Sequence, residues 1–334
     1  MTVSVIVAAY NGEKYVGDML DSLMFQIKKP DEIVCVDDGS TDGTLAVLKK
    51  YAKKHPFIKV HSIPNGGAAA ARIYGFLHST GEAVCFVDCD DTVDPDYISS
   101  LHDALVEKNA DVAVGGYARE KDNGDLIHCE MMRTRPEIDA ADESINQINT
   151  ALFNKMIRRE CIAEDIILPR IVQGDDLCYW CRILPLVKTI TFVPKPMYHY
   201  IVREGSQMAK FRADSFALMV EEMISSVSAM KGTLLFDSVF GIFFISLCIS
   251  QLARYYGEDK AAAKAEYKRL KALFDEKLPG WRKTAMMNFG TAWRTRGKGL
   301  AIWVCGKLFA WGMFPLYMAG MDFMMKKLHW KAKW

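Results

Sequence analysis

Val3 to Ala8 is a largely β-branched apolar run, the pattern of a strand buried on both faces of a parallel sheet. After Asn11-Gly12 the apolar positions Val16, Met19, Leu20 and Leu23 have helical spacing, and Pro30 closes the segment. The alternation then repeats. Ile33 to Val36 predicts a second strand, Asp37-Asp38-Gly39-Ser40 a turn, and Leu45, Leu48 and Tyr51 a second helix. Ile58 to Ile63 predicts a third strand, Asn65-Gly66-Gly67 a loop, and the Ala-rich stretch to His78 a third helix. Ala83 to Val87 predicts a fourth strand, and Asp94-Pro95 the cap and first turn of the next helix. Strand and helix alternating at this spacing predict an α/β fold, a doubly wound and mainly parallel sheet.

Ligands in such sheets bind at the carboxyl ends of the strands. Four polar clusters directly follow a strand: Tyr10-Asn11-Gly12, Asp37-Asp38-Gly39-Ser40, Asn65-Gly66-Gly67 and Asp88-Cys89-Asp90-Asp91. They are expected to line one crevice. From Val112 to about Met131 the pattern is strand-like, and from Ser144 to Ile162 it turns helical. Pro169, Pro185, Pro194 and Pro196 interrupt the next stretch, and after about Ala209 the chain reads as helices. The expected organisation is a ligand-binding α/β domain over residues 1–212 and a helical region over 213–334.

Charge changes this picture at one end. The whole chain of 334 residues carries a net charge of +1, which gives no reason to expect a nucleic acid. From Trp281 to Trp334, however, ten basic residues face one acid, Asp322, so the tail is +9 and the body −8. Nine cysteines without framework spacing predict a reduced compartment, and Cys178 and Cys181 read as two thiols on one turn of a buried helix. No basic, apolar and cleavable leader precedes Val3, so the expected location is cytoplasmic.

Asp88, Asp90 and Asp91 put three carboxylates at the end of a buried strand. Crowded carboxylates raise one another's pKa unless a cation sits among them, and Mg²⁺ or Mn²⁺ held with substrate phosphates resolves the conflict. An Asp-rich turn is the plainer alternative. Asp37 and Asp38 can accept from a base or a ribose, or one of them can be structural. Gly67 allows close approach of backbone to a ligand, and Arg72 beyond it can reach a phosphate or an acidic partner. Asp175 and Asp176 after Gly174 are either ordinary helix-start acids or a general base. His199 is either structural or an extra ligand to a nearby metal. Neither GxGxxG nor GxxxxGK[ST] occurs, which removes the main support for dehydrogenase and kinase readings.

VSVIVAAYN (Val3–Asn11), VDDGSTDGT (Val36–Thr44), NGGAAAAR (Asn65–Arg72), FVDCDD (Phe86–Asp91) and Gly174-Asp175-Asp176, in this order, resemble the GT-A fold glycosyltransferases of family 2 over about the first 210 residues. The resemblance implies a nucleotide-sugar donor, most often a UDP-sugar, and inversion at the anomeric carbon. Ala9, Tyr10, Asn11 and Asp38 would hold the nucleoside, with Asp37 alongside and Arg72 near the ribose or diphosphate. Asp88 would face ribose or sugar, and Asp90 would bind Mn²⁺ or Mg²⁺, with His199 as a further metal ligand. Arg203 and Ser206 correspond to a loop that closes over the diphosphate. Asp176 would be the base, with Asp175 standing where Glu is more usual. No QxxRW motif comes after it, so transfer of one sugar per encounter is implied.

Six of the seven tryptophans (Trp281, Trp293, Trp303, Trp311, Trp330, Trp334) lie in the basic tail. Trp, Lys and Arg around the apolar run Leu308–Met321 predict docking on an anionic membrane surface, on the inner face of the cell membrane, and suit a glycan or lipid-linked acceptor. A packed helical subdomain is the plainer alternative, and Ser238 to Ala253 reads as a buried helix. Two other functions fit parts of the pattern. A nucleotide-sugar-binding scaffold without turnover needs no base at Asp176. A nucleotidyltransferase normally shows a glycine-rich, lysine-bearing loop where Tyr10-Asn11-Gly12-Glu13 stands here.

Overall fold

The computed structural model describes residues 1–130, 137–139, 148–163, 174–203, 213–230, 244, 248, 251–284, 287–295 and 298–327. The chain forms two compact units, Met1–Ala140 with Thr150–Gln207, and Ala141–Asn149 with Met208–Trp334.

In the first unit β1 (Val3–Ala9), β2 (Glu32–Asp37), β3 (Ile58–Ser62) and β4 (Ala83–Asp88) pair in parallel in the order β3-β2-β1-β4. The helices between them are α1 (Val16–Met24), α2 (Thr44–Lys54) and α3 (Ala68–Leu77). The predicted stripe of α1, Val16, Met19, Leu20 and Leu23, is fully buried. Gly75 lets α3 lie hard against the sheet, because a Cβ there would meet Ile6 Cγ2 at 2.5 Å and Val36 Cγ2 at 3.3 Å. Register then aligns the strand ends: Ala9 lies beside Asp37, Ala8 beside Asp88, and Asp37 beside Ser62. The four polar clusters therefore leave the same edge of the sheet.

The other half of the sheet is mixed. After β5 (Thr92–Val93) and α4 (Tyr97–Glu107) come β6 (Val112–Lys121), β7 (Leu126–Glu130), β8 (Glu137–Asp139), β9 (Lys155–Arg158), α5 (Asp175–Ile183) and β10 (Thr189–Val202). The order continues β4-β9-β6-β10-β5, with β9 antiparallel to both its neighbours and β10 parallel to β6.

Two expectations are corrected here. The stretch to Ile162 is not helical where it is described: Lys155–Arg158 is a strand inserted between β4 and β6, followed by a single 3₁₀ turn. Burial of Met156 and Ile157 within a four-residue strand leaves no room for the period-2 signal that separates strand from helix. Asp94 does not cap α4. That helix starts two residues later, because Thr92 and Val93 first pair with Tyr198 and His199, and the Asp94 carboxylate goes to His199. Cys178 and Cys181 are fully buried on α5 as expected.

The second unit is helical where described: α6 (Ala213–Ala229), α7 (Ala253–Glu258), α8 (Lys260–Lys277), α9 (Phe289–Thr295), α10 (Lys298–Ala310) and α11 (Phe314–Lys327). The Asp259 carboxylate caps α8 by accepting from the amides of Ala261 and Ala262, both at 2.9 Å. The core is aromatic. Phe309 meets Phe244, Tyr267, Phe274, Trp281 and Phe314 at centroid distances of 5.0–5.8 Å. Trp281, expected at a membrane surface, is a core residue instead; its Nε1 donates to Asp275 at 2.8 Å. Of the expected helix Ser238–Ala253, only residues 244, 248 and 251–253 are described, and Trp330 and Trp334 also lie outside the described residues.

At the edge of the sheet opposite the polar clusters, Glu32 is buried among Ser4 Oγ (2.6 Å), Lys59 Nζ (2.5 Å) and the Thr80 amide. Burial raises its carboxyl, but these partners outweigh it and hold the group at about 2, below the ordinary 4.5. The folded state therefore binds fewer protons, so this stabilisation is complete above about pH 4.5 and is lost as pH falls toward about 2. Glu32→Gln is expected to lower the urea midpoint at neutral pH, with the deficit closing as the titration is repeated down to acid pH; a deficit independent of pH would rule this out.

Candidate active site

The loops at the aligned strand ends are held by side chains of one another. Asn11, at φ +50, accepts from the Thr41 amide at 2.8 Å, and its own amide donates to Ser40 Oγ at 3.0 Å. Tyr10 beside it is 43% exposed, whereas Ala9 is buried. Asp38 accepts from the amides of Gly66 (2.7 Å) and Gly67 (2.8 Å) and from Asn65 Nδ2 (3.1 Å). Asp37 accepts from Ser62 Oγ at 3.0 Å and from the Ser40 amide at 3.3 Å. Both carboxylates are buried, and what they do here is shape the crevice floor. Gly67 sits at φ +92 just before α3, a conformation an L side chain strains to adopt.

Arg72, one turn into α3 and 7% exposed, ties the floor to the rim. Its Nη2 donates to Asp88 Oδ1 at 2.7 Å, and its Nη1 to Asp175 Oδ2 at 2.7 Å and Asp176 Oδ1 at 2.9 Å. Three carboxylates, one from the end of β4 and two from the first turn of α5, share a single guanidinium. Gly174, left-handed at φ +87, starts α5 so that both acids fall in its first turn, where the helix dipole favours negative charge. Burial pushes the Asp176 carboxyl up to about 7, with Arg72 opposing, Asp175 and Asp88 adding to the rise, and Lys155 opposing it. Asp175 is raised too, by burial and Asp88, against Arg72.

Lys155 is a site residue that the sequence pattern did not single out. It is fully buried, donates to Ala151 O and to Asn154 Oδ1 (2.9 Å), and lies 5.1 Å from the ring centroid of Trp180, one turn beyond Asp176 on α5. Burial lowers its ammonium to about 7, with Asp176 and Glu130 opposing. A lysine between Phe153 and the apolar pair Met156-Ile157 is the one signal that marked it, since lysine is rarely buried without a purpose.

The Asp88–Asp91 cluster divides by role. Asp91 is buried and structural, accepting from Tyr198 OH at 2.8 Å and from the Ile201 amide at 2.9 Å. Tyr198 OH in turn accepts from the Asp88 amide at 3.1 Å, which fixes the strand end. Asp90 is half-exposed and 3.3 Å from Arg203, whose guanidinium stacks on Tyr15 at 3.9 Å. Partial burial and then Asp88 hold the Asp90 carboxyl above its ordinary range, with Arg203 opposing. Asp88 and Asp90 thus offer hard oxygen donors at one strand end, each met by an arginine, a donor set that suits Mg²⁺ or Mn²⁺ bound with phosphate oxygens. Among the described residues no three His, Cys, Asp or Glu side chains converge as a metal site. His199, expected as a third ligand, instead has Nε2 3.0 Å from Asp94 and Nδ1 3.0 Å from Glu120. Burial lowers its pKa, but these carboxylates outweigh that and favour the imidazolium, which has no lone pair to give a metal. Ser206 lies outside the described residues.

With this geometry the sequence profile of glycosyl transferase family 2 matches residues 4–164. Residues 4–164 form a family 2 glycosyltransferase domain. The chain is 41% identical over 221 residues to glycosyltransferase GlyA of Streptococcus pneumoniae, covering 61% of this chain and 31% of GlyA. Similarity to the poly(ribitol-phosphate) beta-N-acetylglucosaminyltransferase TarS of Staphylococcus aureus is 30% over 217 residues, 63% of this chain and 37% of TarS. The chain thus spans about a third of the length of these two curated relatives. The crystal structure of S. aureus TarS 1–349 in complex with UDP-GlcNAc superposes with a TM-score of 0.64 at 21% identity, covering 96% of this chain and 91% of that one. At that identity the likeness establishes the fold, and the expected GT-A fold with a helical C-terminal region is borne out.

Removing the Arg72 guanidinium leaves three neighbouring carboxylates without their shared partner. Arg72→Met is expected to cost about 3 kcal/mol of unfolding free energy at neutral pH, the order seen when one member of a buried ion pair is lost. Urea denaturation of the variant measures it, and a loss under about 1 kcal/mol would show that the cluster does not depend on this cation.

Proposed function

We propose that this chain is a metal-dependent, inverting glycosyltransferase that moves one sugar from a nucleotide-sugar donor, a UDP-sugar, to a hydroxyl of a glycan or lipid-linked acceptor in surface polysaccharide synthesis. The observation that carries the proposal is the junction on Arg72, which joins the carboxylate at the end of β4 to Asp175 and Asp176 on α5. It puts a donor-side acid and a candidate base in one cluster. A UDP-sugar is supported by the family 2 domain and by the UDP-GlcNAc held in the TarS structure of the same fold. A polymeric acceptor is supported by the poly(ribitol-phosphate) in the name of TarS. Nine free cysteines, eight of them buried, are consistent with work on the cytoplasmic side of a membrane.

In this reading Asp176 accepts the proton of the acceptor hydroxyl as that oxygen attacks the anomeric carbon opposite the diphosphate. The bond from the anomeric carbon to the diphosphate oxygen breaks, the nucleoside diphosphate leaves, and the configuration inverts. Asp90, with Asp88, would hold a divalent cation that offsets the charge on the departing diphosphate. His199 has no part in that site. Tyr10 and Asn11 face the nucleoside, Asp37, Asp38 and Gly67 form the floor beneath it, and Arg203 on its Tyr15 platform turns toward the diphosphate. Asp175 shares Arg72 with Asp176 and holds the guanidinium in place. A binding scaffold without turnover accounts for the floor but leaves the two acids of α5 and their cations without a use.

The test is calorimetry of the full chain with UDP, UDP-GlcNAc and other nucleotide sugars, with Mn²⁺ and with a chelator. Cation-dependent binding of one nucleotide, lost in Asp90→Ala, is expected. Asp176→Asn is expected to keep donor affinity within about twofold while transfer falls by about 10²–10⁴-fold. Equal loss of binding and transfer would remove the base assignment, and absence of nucleotide binding would remove the transferase reading.

A further inference from the structure

The second unit presents a surface that its own packing does not use. On α11 the residues Phe314, Met318 and Met321 are buried, with Phe314 against Phe309 and Tyr267. The opposite stripe, Leu316, Ala319, Gly320 and Phe323, follows the same helical spacing and is exposed, at 65% for Leu316 and 59% for Phe323. It contains no charged or hydrogen-bonding side chain. Trp311 (69% exposed) and Met313 extend it through the turn before α11. α10, apolar around nearly its whole circumference, also leaves Val304 outside. A helix apolar on every side signals that something other than water covers it.

Charge identifies the cover. Residues 287–327 hold six Lys and Arg and a single acid, Asp322, which is itself buried 3.7 Å from Lys260. The exposed surface of this stretch therefore carries no carboxylate. A symmetric pairing of two copies would set the patch on itself and give its cations nothing to meet. Nor is spanning available. α11 has 14 residues, about 21 Å of helix against a hydrocarbon core of about 30 Å, and no described helix is long and apolar enough to cross a membrane.

We infer that the α10–α11 face lies in the plane of an anionic lipid bilayer, with Trp311, Met313, Leu316 and Phe323 entering the headgroup boundary and the net positive charge of the stretch drawing it to anionic lipid. This narrows the membrane location expected from the tail as a whole, since Trp281 is excluded from the docking surface, and it stands independently of the transfer chemistry.

The experiment is flotation of the full chain with vesicles of phosphatidylcholine alone and of phosphatidylcholine with about one third phosphatidylglycerol, at low and high salt. The expected result is binding to the anionic vesicles that weakens with salt and falls by about tenfold or more in the Trp311→Ser, Leu316→Ser, Phe323→Ser triple variant. Those side chains are exposed, so circular dichroism and nucleotide calorimetry are expected to be unchanged, which separates failure of docking from failure of the transferase reading. Equal flotation of the triple variant, or none by the folded wild-type chain, would overturn the inference. So would light scattering that shows a dimer abolished by the same substitutions, because the occupant would then be a second copy.

Discussion

A single guanidinium holds the candidate site together. Asp88 ends a strand of the parallel half of the sheet, and Asp175 and Asp176 begin a helix more than eighty residues later. Their side chains meet because Arg72 carries enough donors, in a fixed planar fork, to satisfy all three at 2.7–2.9 Å. Lysine could supply the charge but not the geometry. In a poorly solvated crevice three anions repel strongly, and two of them are raised above their ordinary pKa even with the cation present. The position of Arg72 depends in turn on Gly75, one turn on, whose missing side chain lets α3 press against Ile6 and Val36. The electrostatics of the rim thus rest on a packing detail in the core.

The parallel half of the fold was legible because three of its four strands are almost entirely buried, the edge strand β3 being the exception. Val3–Ala9, Glu32–Asp37 and Ala83–Asp88 are continuous runs that no surface helix would tolerate, and each ends in the polar residues that a strand-end crevice demands. The mixed half was not. Lys155–Arg158 is four residues long, and its neighbours in the sheet, β4 and β6, come from distant parts of the chain. Nothing local distinguishes it from the end of a helix. Asp94 failed for a similar reason. Asp-Pro is a sound helix start by local chemistry, but pairing of Thr92 and Val93 with β10 delays the helix and leaves Asp94 to His199.

Residue types in the site were legible, while their division of labour was not. Three of the four residues at 88–91 are Asp, yet one is sealed beneath Tyr198, one is paired with Arg72, and one is half-exposed beside Arg203. Only tertiary structure separates them. The tryptophans of the tail obey the same logic. Trp281 fills the core of the second unit and Trp311 stands in the open, although both sit in basic, apolar sequence.

Lys155 and Asp176 show how the pair of charges behind the rim is balanced. Each is a group that burial drives toward neutrality, and the charge of each favours the ionised form of the other. Neither could be replaced by an apolar residue without moving its partner further from its ionised form, since in a low-dielectric interior a charge is retained chiefly through its counter-charge. Asn154 and Ala151 fix the ammonium by hydrogen bonds, and Trp180 offers it a π face without competing for a proton. The Asp176 carboxylate meets Arg72, which is shared with two further acids and so gives Asp176 only part of its charge. The ionisation of Asp176 is therefore set by burial and the neighbouring acids Asp175 and Asp88 on one side and by two buried cations, Arg72 and Lys155, on the other.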